Sequence, residues 1–273
     1  MKTFVINLDT DRARLDWMTP QLQAAGLDWE RVAAVRGDAV PEALRSWFFE
    51  PGATASPVLL PGEVGCYASH LLIMRRVVEE GLPHALVLED DVELKPHLRG
   101  VLDQAGDLPE GWHIVRLSGL VKTAVAHVRP LGDGVELVRY SRVPLGTGAY
   151  LISNAGARRF LERPSVRRRP IDADLRRVWE CRMRTYGVAP SPVEQDVFQR
   201  SSIDGMAARP RRSSRERKGA ADLGTLLSDP FARVAWQARE LGPTTWAGCV
   251  ASNAWSKVSK AHRDRIRRRA NGA

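Results

Sequence analysis

Three consecutive carboxylates, Glu89, Asp90 and Asp91, follow directly on the apolar run Ala85-Leu86-Val87-Leu88. Hard divalent cations such as Mn2+ or Mg2+ take carboxylate oxygens and keep positions open for phosphate. A cation held in this way acts as a Lewis acid on a diphosphate leaving group, which gains negative charge as the bond to it breaks. If the chain stays extended, Glu89 and Asp91 share a face, because side chains alternate. One could then orient a ribose while the other holds the metal. By itself the triplet equally fits a solvated acidic turn after a strand.

The elements that position these carboxylates can be read from the spacing of apolar residues. The run 85–88 suits a central strand covered on both faces. Its C-terminal end is where open α/β sheets bind ligands. Ahead of it, Val64, Tyr67, Leu71, Met74 and Val78 recur at helical spacing, and Gly81 and Pro83 stop that helix. Further strands are expected at residues 4–6, 31–35, 113–117 and 148–152, with an antiparallel one at 135–140. Helices are expected at 9–25, 154–161 and 175–183, and a loop at 56–62. The alternation of strands and helices predicts an α/β fold with a mainly parallel central sheet. Residues 209–218 read as a basic linker, and 223–241 and 246–269 as two amphipathic helices. The expected organisation is a catalytic unit at 1–204 and a basic helical extension at 205–273.

The charge follows the same division. The chain carries a formal charge of +9, yet residues 205–273 hold fifteen Lys/Arg against five Asp/Glu, and residues 1–204 are nearly neutral. The extension, not the main unit, would meet an anionic surface. Trp236, Trp246 and Trp255 lie among its arginines and lysines, a composition suited to the headgroup layer of a membrane. A nucleic-acid-binding protein would also be basic, but its charge would not be confined to one end, and no recognised nucleic-acid motif occurs. No nucleic-acid partner is expected. A metal-dependent phosphohydrolase would need a denser set of His and Asp ligands. The three cysteines, Cys66, Cys181 and Cys249, are widely spaced and odd in number, which argues against a disulfide framework or a structural zinc site. Cys66 reads as a small packed residue. With no apolar leader near residue 1 and no run long enough to span a bilayer, a cytoplasmic protein is expected, held at most peripherally on the inner face of the membrane.

The stretch Pro61-Gly62-Glu63-Val64-Gly65-Cys66-Tyr67-Ala68-Ser69-His70 precedes a helix, then comes the turn Gly81-Leu82-Pro83, then the strand ending in Glu89-Asp90-Asp91. In this order the chain resembles glycosyltransferase family 25, which includes lipooligosaccharide galactosyltransferases and the collagen galactosyltransferase. The resemblance extends outward. Ile6-Asn7-Leu8-Asp9 with Arg14 and Met18 is similar to the family's opening strand and helix. Residues 146–153 with Gly156-Ala157 are similar to its G-T-x-A-Y-x-I-S element, although Gly148 stands where histidine is frequent. Pro170-Ile171-Asp172 resembles its P-[IV]-D element, and Gln195 with Ser201-Ser202-Ile203 its closing segment. The likeness covers roughly residues 3–204.

The resemblance implies a GT-A-like fold, a UDP-sugar donor (galactose most often), a glycan or lipid-linked saccharide acceptor, and inversion at the anomeric carbon. Inversion needs a general base for the acceptor hydroxyl. Asp172, Asp174 and Asp196 are the candidates. Asp172 is favoured because it matches the family element, and Asp174 fits a helix N-cap about as well. The implied donor contacts are Asn7, Asp9, Arg14, Ser69, Glu89 and Asp90, with Arg14 balancing diphosphate charge or making a surface ion pair. Glu89 and Asp91 would hold Mn2+ or Mg2+. His70 is either a contact to donor or acceptor or a buried histidine bonded to backbone. A catalytically inactive relative serving as an assembly scaffold would share most of these residues.

Overall fold

The computed structural model describes residues 1–53, 56, 58–163, 166–195 and 223–271. Eight strands form the main sheet: β1 (Lys2–Asn7), β2 (Trp29–Ala33), β3 (His84–Glu89), β5 (Ile114–Arg116), β6 (Val125–Pro130), β7 (Glu136–Tyr140), β8 (Ala149–Ser153) and β9 (Thr185–Ala189). Their order is β2-β1-β3-β8-β5-β9-β7-β6. β1 and β2 run parallel to β3, and β5 runs parallel to β9. β8 lies antiparallel between β3 and β5, and β7 lies antiparallel between β9 and β6. Most strands thus share one direction, but the two reversed ones make most neighbouring pairs antiparallel. The sheet is mixed: most strands share one direction, as the alternation of strands and helices predicts, and β8 is reversed in addition to the expected antiparallel β7. A second ribbon pairs β4 (Val92–Leu94) with β10 (Val193–Gln195), antiparallel, with Gln195 opposite Val92.

β3 explains why the sheet has two cores. Ala85 and Val87 pack into one apolar cluster with Tyr67, Leu71 and Phe160, while Leu86 and Leu88 face the other with Met18, Leu22 and Leu98. Fully burying each leucine contributes about 1.5–3 kcal/mol. On the first face lie α3 (Pro61–Glu79) and α5 (Asn154–Leu161); on the second lie α1 (Arg12–Ala24) and α4 (Leu98–Asp103). A one-turn helix, α2 (Glu42–Arg45), adds Leu44 to the first core.

α3 starts three residues earlier than the apolar spacing indicates. Pro61 occupies the first turn, where its missing N–H costs nothing, and Glu63 Oε2 accepts from the Leu60 N–H at 2.9 Å. The stretch 61–70 is therefore the first half of this helix and not a loop before it. Gly65 lets α3 approach the end of β2: a Cβ there would sit 2.3 Å from the Val35 carbonyl oxygen.

The expected helix at 175–183 is replaced by α6 (Ile171–Leu175) followed by turns. Arg163 and Arg169 pair with Asp174 and Glu180, and Arg177 also reaches Glu180, which folds the chain back on itself. Both Asp172 and Asp174 lie inside α6, with Pro170 at its N-cap, so neither caps a later helix. The extension forms three helices, α7 (Leu223–Leu241), α8 (Pro243–Val258) and α9 (Lys260–Asn271). The expected second helix is broken at Ser259, whose backbone is extended.

These helices dock onto the sheet unit. Asn271 exchanges two hydrogen bonds of 3.0 Å with the Val121 backbone. Asn253 accepts from Ala124 N–H at 2.7 Å and donates to Ser141 Oγ at 3.0 Å. Trp236 packs against the first core. The linker at 209–218 and the segment containing Asp196 and Ser201–Ile203 lie outside the described residues.

Candidate functional site

The three carboxylates after β3 turn in different directions, because the chain does not stay extended. Glu89 ends the strand and Asp90 and Asp91 form a turn into β4. α1 braces that turn: Trp17 Nε1 donates to Val92 O at 3.1 Å, and Gln21 Oε1 accepts from Leu94 N–H at 2.9 Å. Glu89 and Asp91 both line a cavity of about 770 Å3, with Asp172 on another wall. Asp90 turns away from it. Its Oδ2 accepts from Asn7 Nδ2 at 2.7 Å and its Oδ1 from Arg14 at 3.1 Å.

Glu89 is the most heavily supported group. Its Oε1 accepts from His70 Nε2 at 3.1 Å and from the Thr147 hydroxyl, and its Oε2 accepts from Gln195 Nε2 at 2.9 Å. Burial opposes its ionisation, but the bonds from His70 and Thr147 and the nearby Arg116 outweigh burial, and the Glu89 pKa is lowered. The carboxylate is therefore charged at neutral pH. His70 is fully buried, and its other ring nitrogen meets the Tyr150 hydroxyl at 2.8 Å. It bonds to side chains rather than backbone and orients Glu89.

Gln195 reaches Glu89 because the β4–β10 ribbon places it there and Gly148 leaves room. Gly148 N–H donates to Gln195 Oε1 at 3.1 Å, and a Cβ at this glycine would lie 2.7 Å from Gln195 Cδ. The departure at Gly148 is thus matched to the glutamine beside it.

Asp172 behaves differently from Glu89. Burial raises its pKa, against the pull of the Ala173 and Gly146 backbone amides and of Arg116. The Ala173 N–H donates to its Oδ1 at 2.7 Å. Arg116 is fully buried behind the Gly146 loop and donates to the Gly146 carbonyl. Two carboxyls lining one cavity therefore have pKa values pushed apart, the pattern expected where one group serves as a permanent charge and the other exchanges a proton.

A smaller cavity of about 100 Å3 meets the first at Cys66, Glu89 and Asp91, and it is lined further by Asn7, Arg14, Ser69 and Asp90. Asn7 is committed inside the protein: its amide nitrogen donates to Asp11 O at 2.9 Å as well as to Asp90, and its oxygen accepts from Arg31 at 2.9 Å. Ser69 accepts from Val35 N–H and donates to Gly65 O, both at 2.8 Å. Its hydroxyl fastens α3 to the end of β2.

Eight expected site residues, Asn7, Arg14, Ser69, His70, Glu89, Asp90, Asp91 and Asp172, come together around the two cavities. Two do not. Asp9 is exposed and pairs with Arg31. Asp174 is buried under α3, where it accepts from the Tyr67 hydroxyl at 2.7 Å and pairs with Arg163 and Arg169. At 2% exposure it ties α6 to α3 and to the two arginines, and it lines neither of these two cavities. The sequence reading missed Thr147, Gln195 and Arg116 as support for the acidic pair. It placed Cys66 only as packing, whereas its side chain lines both cavities.

Cys66, His70 and Glu89 also present ligand atoms within 4.8 Å of one another. Both His70 nitrogens are already engaged, and burial raises the Cys66 thiol pKa well above its usual value, which disfavours the thiolate a soft metal needs. This trio is a packed support and not a ligand set.

The family model described as glycosyltransferase family 25 (LPS biosynthesis protein) matches residues 1–174. Lacto-N-neotetraose biosynthesis glycosyltransferase LgtB of Neisseria gonorrhoeae is 32% identical over 137 residues, 45% of this chain and 48% of that protein. Procollagen galactosyltransferase 2 of Mus musculus is 29% identical over 170 residues, 58% of this chain and 27% of that protein. The probable inactive glycosyltransferase 25 family member 3 of Bos taurus is 33% identical over 122 residues, 43% of this chain and 20% of that protein. The chain thus spans between a fifth and about half of the length of these relatives. A solved glycosyltransferase involved in glycosylation of the PBCV-1 major capsid aligns over 57% of this chain and 61% of its own, at 10% identity and a TM-score of 0.33, which carries no further argument. With the family model covering well over half of its length and the acidic strand end built into one cavity, the chain belongs to glycosyltransferase family 25.

Proposed function

We propose that the chain is an inverting, metal-dependent hexosyltransferase that moves a sugar, galactose in the first instance, from a UDP-sugar to a saccharide hydroxyl. The observation that carries this reading is the placement of a half-buried Asp172, its pKa raised, in the same cavity as Glu89 and Asp91. Asp172 takes the acceptor proton as the new bond forms. Glu89 and Asp91 fit Mn2+ or Mg2+: both are hard oxygen donors, and one lone-pair position of Glu89 Oε2 remains beyond the Gln195 bond. Such an ion supplies stabilisation of the charge that develops on the leaving diphosphate. The smaller cavity beside Arg14 suits the nucleotide side of the donor, in the manner of a GT-A-like fold.

Similarity to a lacto-N-neotetraose glycosyltransferase and to a procollagen galactosyltransferase supports galactose and a glycan acceptor. A place in lipopolysaccharide or other surface-glycan synthesis follows from the first of them and from the family description. No helix among the described residues is long and apolar enough to cross a membrane. The extension nevertheless exposes Phe231, Trp255 and Val258, at 79%, 58% and 76%, and its last helix, α9, carries five arginines. This supports adsorption to anionic lipid on the inner leaflet, where a lipid-linked acceptor resides.

The test is release of UDP from a panel of UDP-sugars with Mn2+, for the native chain and for Asp91→Ala. Turnover with one donor, lost with chelator and in the variant, supports the reading. A second reading has an observation of its own. Glu89 is already held by His70, Thr147 and Gln195, as a carboxylate kept for structure would be, and some relatives are named inactive. Absence of release from every nucleotide sugar, with saccharide acceptor present, would favour a scaffold.

A further inference from the structure

A third cavity, about 240 Å3, lies between the β7–β9 end of the sheet and α7. Its walls carry Arg139, Arg142, Arg169, Arg176, Arg177 and Arg233, with Trp179 and Trp236 between them. Three of the arginines already have partners, two of them carboxylates. Arg169 pairs with Asp174 and Glu180, Arg177 pairs with Glu180, and Arg139 donates to the Glu240 carbonyl and the Tyr186 hydroxyl. Arg142, Arg176 and Arg233 have no carboxylate partner among the described residues. Among the described residues Glu240 is the only acidic one on the walls. Guanidinium groups gathered in one concave space repel one another unless an anion joins them, and their planar forks match phosphate or carboxylate oxygens.

The cavity adjoins the catalytic one. Leu145 lines both, and along α6 Ile171 and Asp172 face the catalytic cavity while Ala173 and Arg176 face the basic one. An acceptor whose hydroxyl meets Asp172 therefore extends past Leu145 toward the arginines. Arg177 stacks over the Trp179 ring at 5.0 Å, and the half-buried Trp236 adds an apolar wall for the C–H face of a sugar ring.

We propose that this cavity is an acceptor subsite for a saccharide bearing a phosphate or carboxylate group. The assignment rests on the transferase reading above. Arg233 and Trp236 belong to α7, outside the residues 1–174 matched by the family model. Donor chemistry then lies in the shared part of the chain, and the extension selects the anionic acceptor.

The probes are glucose 6-phosphate, glucuronate and glucose, titrated calorimetrically into the full chain with UDP and Mn2+ saturating, so that the donor side is filled. Glucose 6-phosphate or glucuronate should bind at least tenfold more tightly than glucose, and the ratio of the two names the anion. Binding should weaken about tenfold in Arg142→Gln/Arg176→Gln and in the independent variant Arg233→Gln, and weaken with salt in the native chain. Thermal melts establish that each variant is folded. Equal binding of charged and neutral sugars, or unchanged binding in folded variants, overturns the proposal. Titration of UDP with Mn2+ alone separates the two readings. Donor binding without charged-sugar preference removes this subsite only. Charged-sugar preference (then titrated without UDP) in a chain that binds no UDP leaves the subsite and removes the transferase.

Discussion

Burial raises the Asp172 pKa, and the Ala173 and Gly146 amides and Arg116 only partly offset it. The folded state therefore binds that proton more tightly than the unfolded chain. Stability falls as pH rises from the ordinary aspartate value of 3.8 through the folded pKa, and above it the cost is constant. Asp172→Asn should melt higher than the native chain at pH 7, and the gain should vanish below about pH 3.8. The same variant should lose about 100- to 10,000-fold in transfer rate while UDP affinity is retained. In the native chain kcat/KM should rise with pH along an acid limb displaced upward from the ordinary aspartate value of 3.8. His70→Ala leaves the Tyr150 hydroxyl and Glu89 each short of a buried partner. It should cost about 1–3 kcal/mol in urea unfolding and weaken Mn2+ binding about 10–100-fold, as loss of groups that orient metal ligands does. Measured Mn2+ affinity unchanged in a folded His70→Ala chain would separate Glu89 from the metal.

At the scale of elements, two close approaches set the site. α3 meets the end of β2 through Gly65, and the Ser69 hydroxyl joins Val35 N–H across the same contact. Gly65→Val should force the two apart and cost about 1–3 kcal/mol or more, read from the urea midpoint. The second approach is that of β10 to the loop before β8. Gly148→His should displace Gln195 from Glu89, because even a Cβ lies 2.7 Å from Gln195 Cδ. The expected outcome is a changed Mn2+ affinity together with a lower melting temperature, since the same Cβ lies 2.9 Å from Val92 Cγ1 in the second core.

For the whole molecule, the extension is docked and not tethered. Asn253, Asn271 and Trp236 join it to the sheet unit, and Asn271 also reaches the wall of the larger cavity that holds Glu89, Asp91 and Asp172. Asn271→Ala should lower stability by about 1–2 kcal/mol through the lost pair of bonds to Val121; an unchanged melt would mean an independent appendage. Membrane adsorption is better tested without disrupting this docking. Replacing the exposed Arg265, Arg267 and Arg268 with glutamine should reduce pelleting with anionic vesicles, each basic residue near the surface being worth about 1 kcal/mol. Equal pelleting of both forms would remove the membrane role.

Local patterns in the sequence determined the strand 85–88, the helix ahead of it, the helix 154–161 and the family itself. Each rests on residues close together in the chain: an apolar run, a helical spacing, a motif within thirty residues. The helix expected at 175–183 failed because ion pairs from Arg163 and Arg169, distant from it in pattern, bend the chain. Asp172 and Asp174 look equivalent in sequence, two residues apart, and only packing separates them: one faces the cavity and the other is buried under Tyr67. The same holds for Thr147 and Gln195, which meet Glu89 from 58 and 106 residues away. No spacing rule relates positions so far apart. The sheet order brings them together, so the charge of Glu89, the raised pKa of Asp172 and the arginine-lined cavity were decided by the tertiary structure alone.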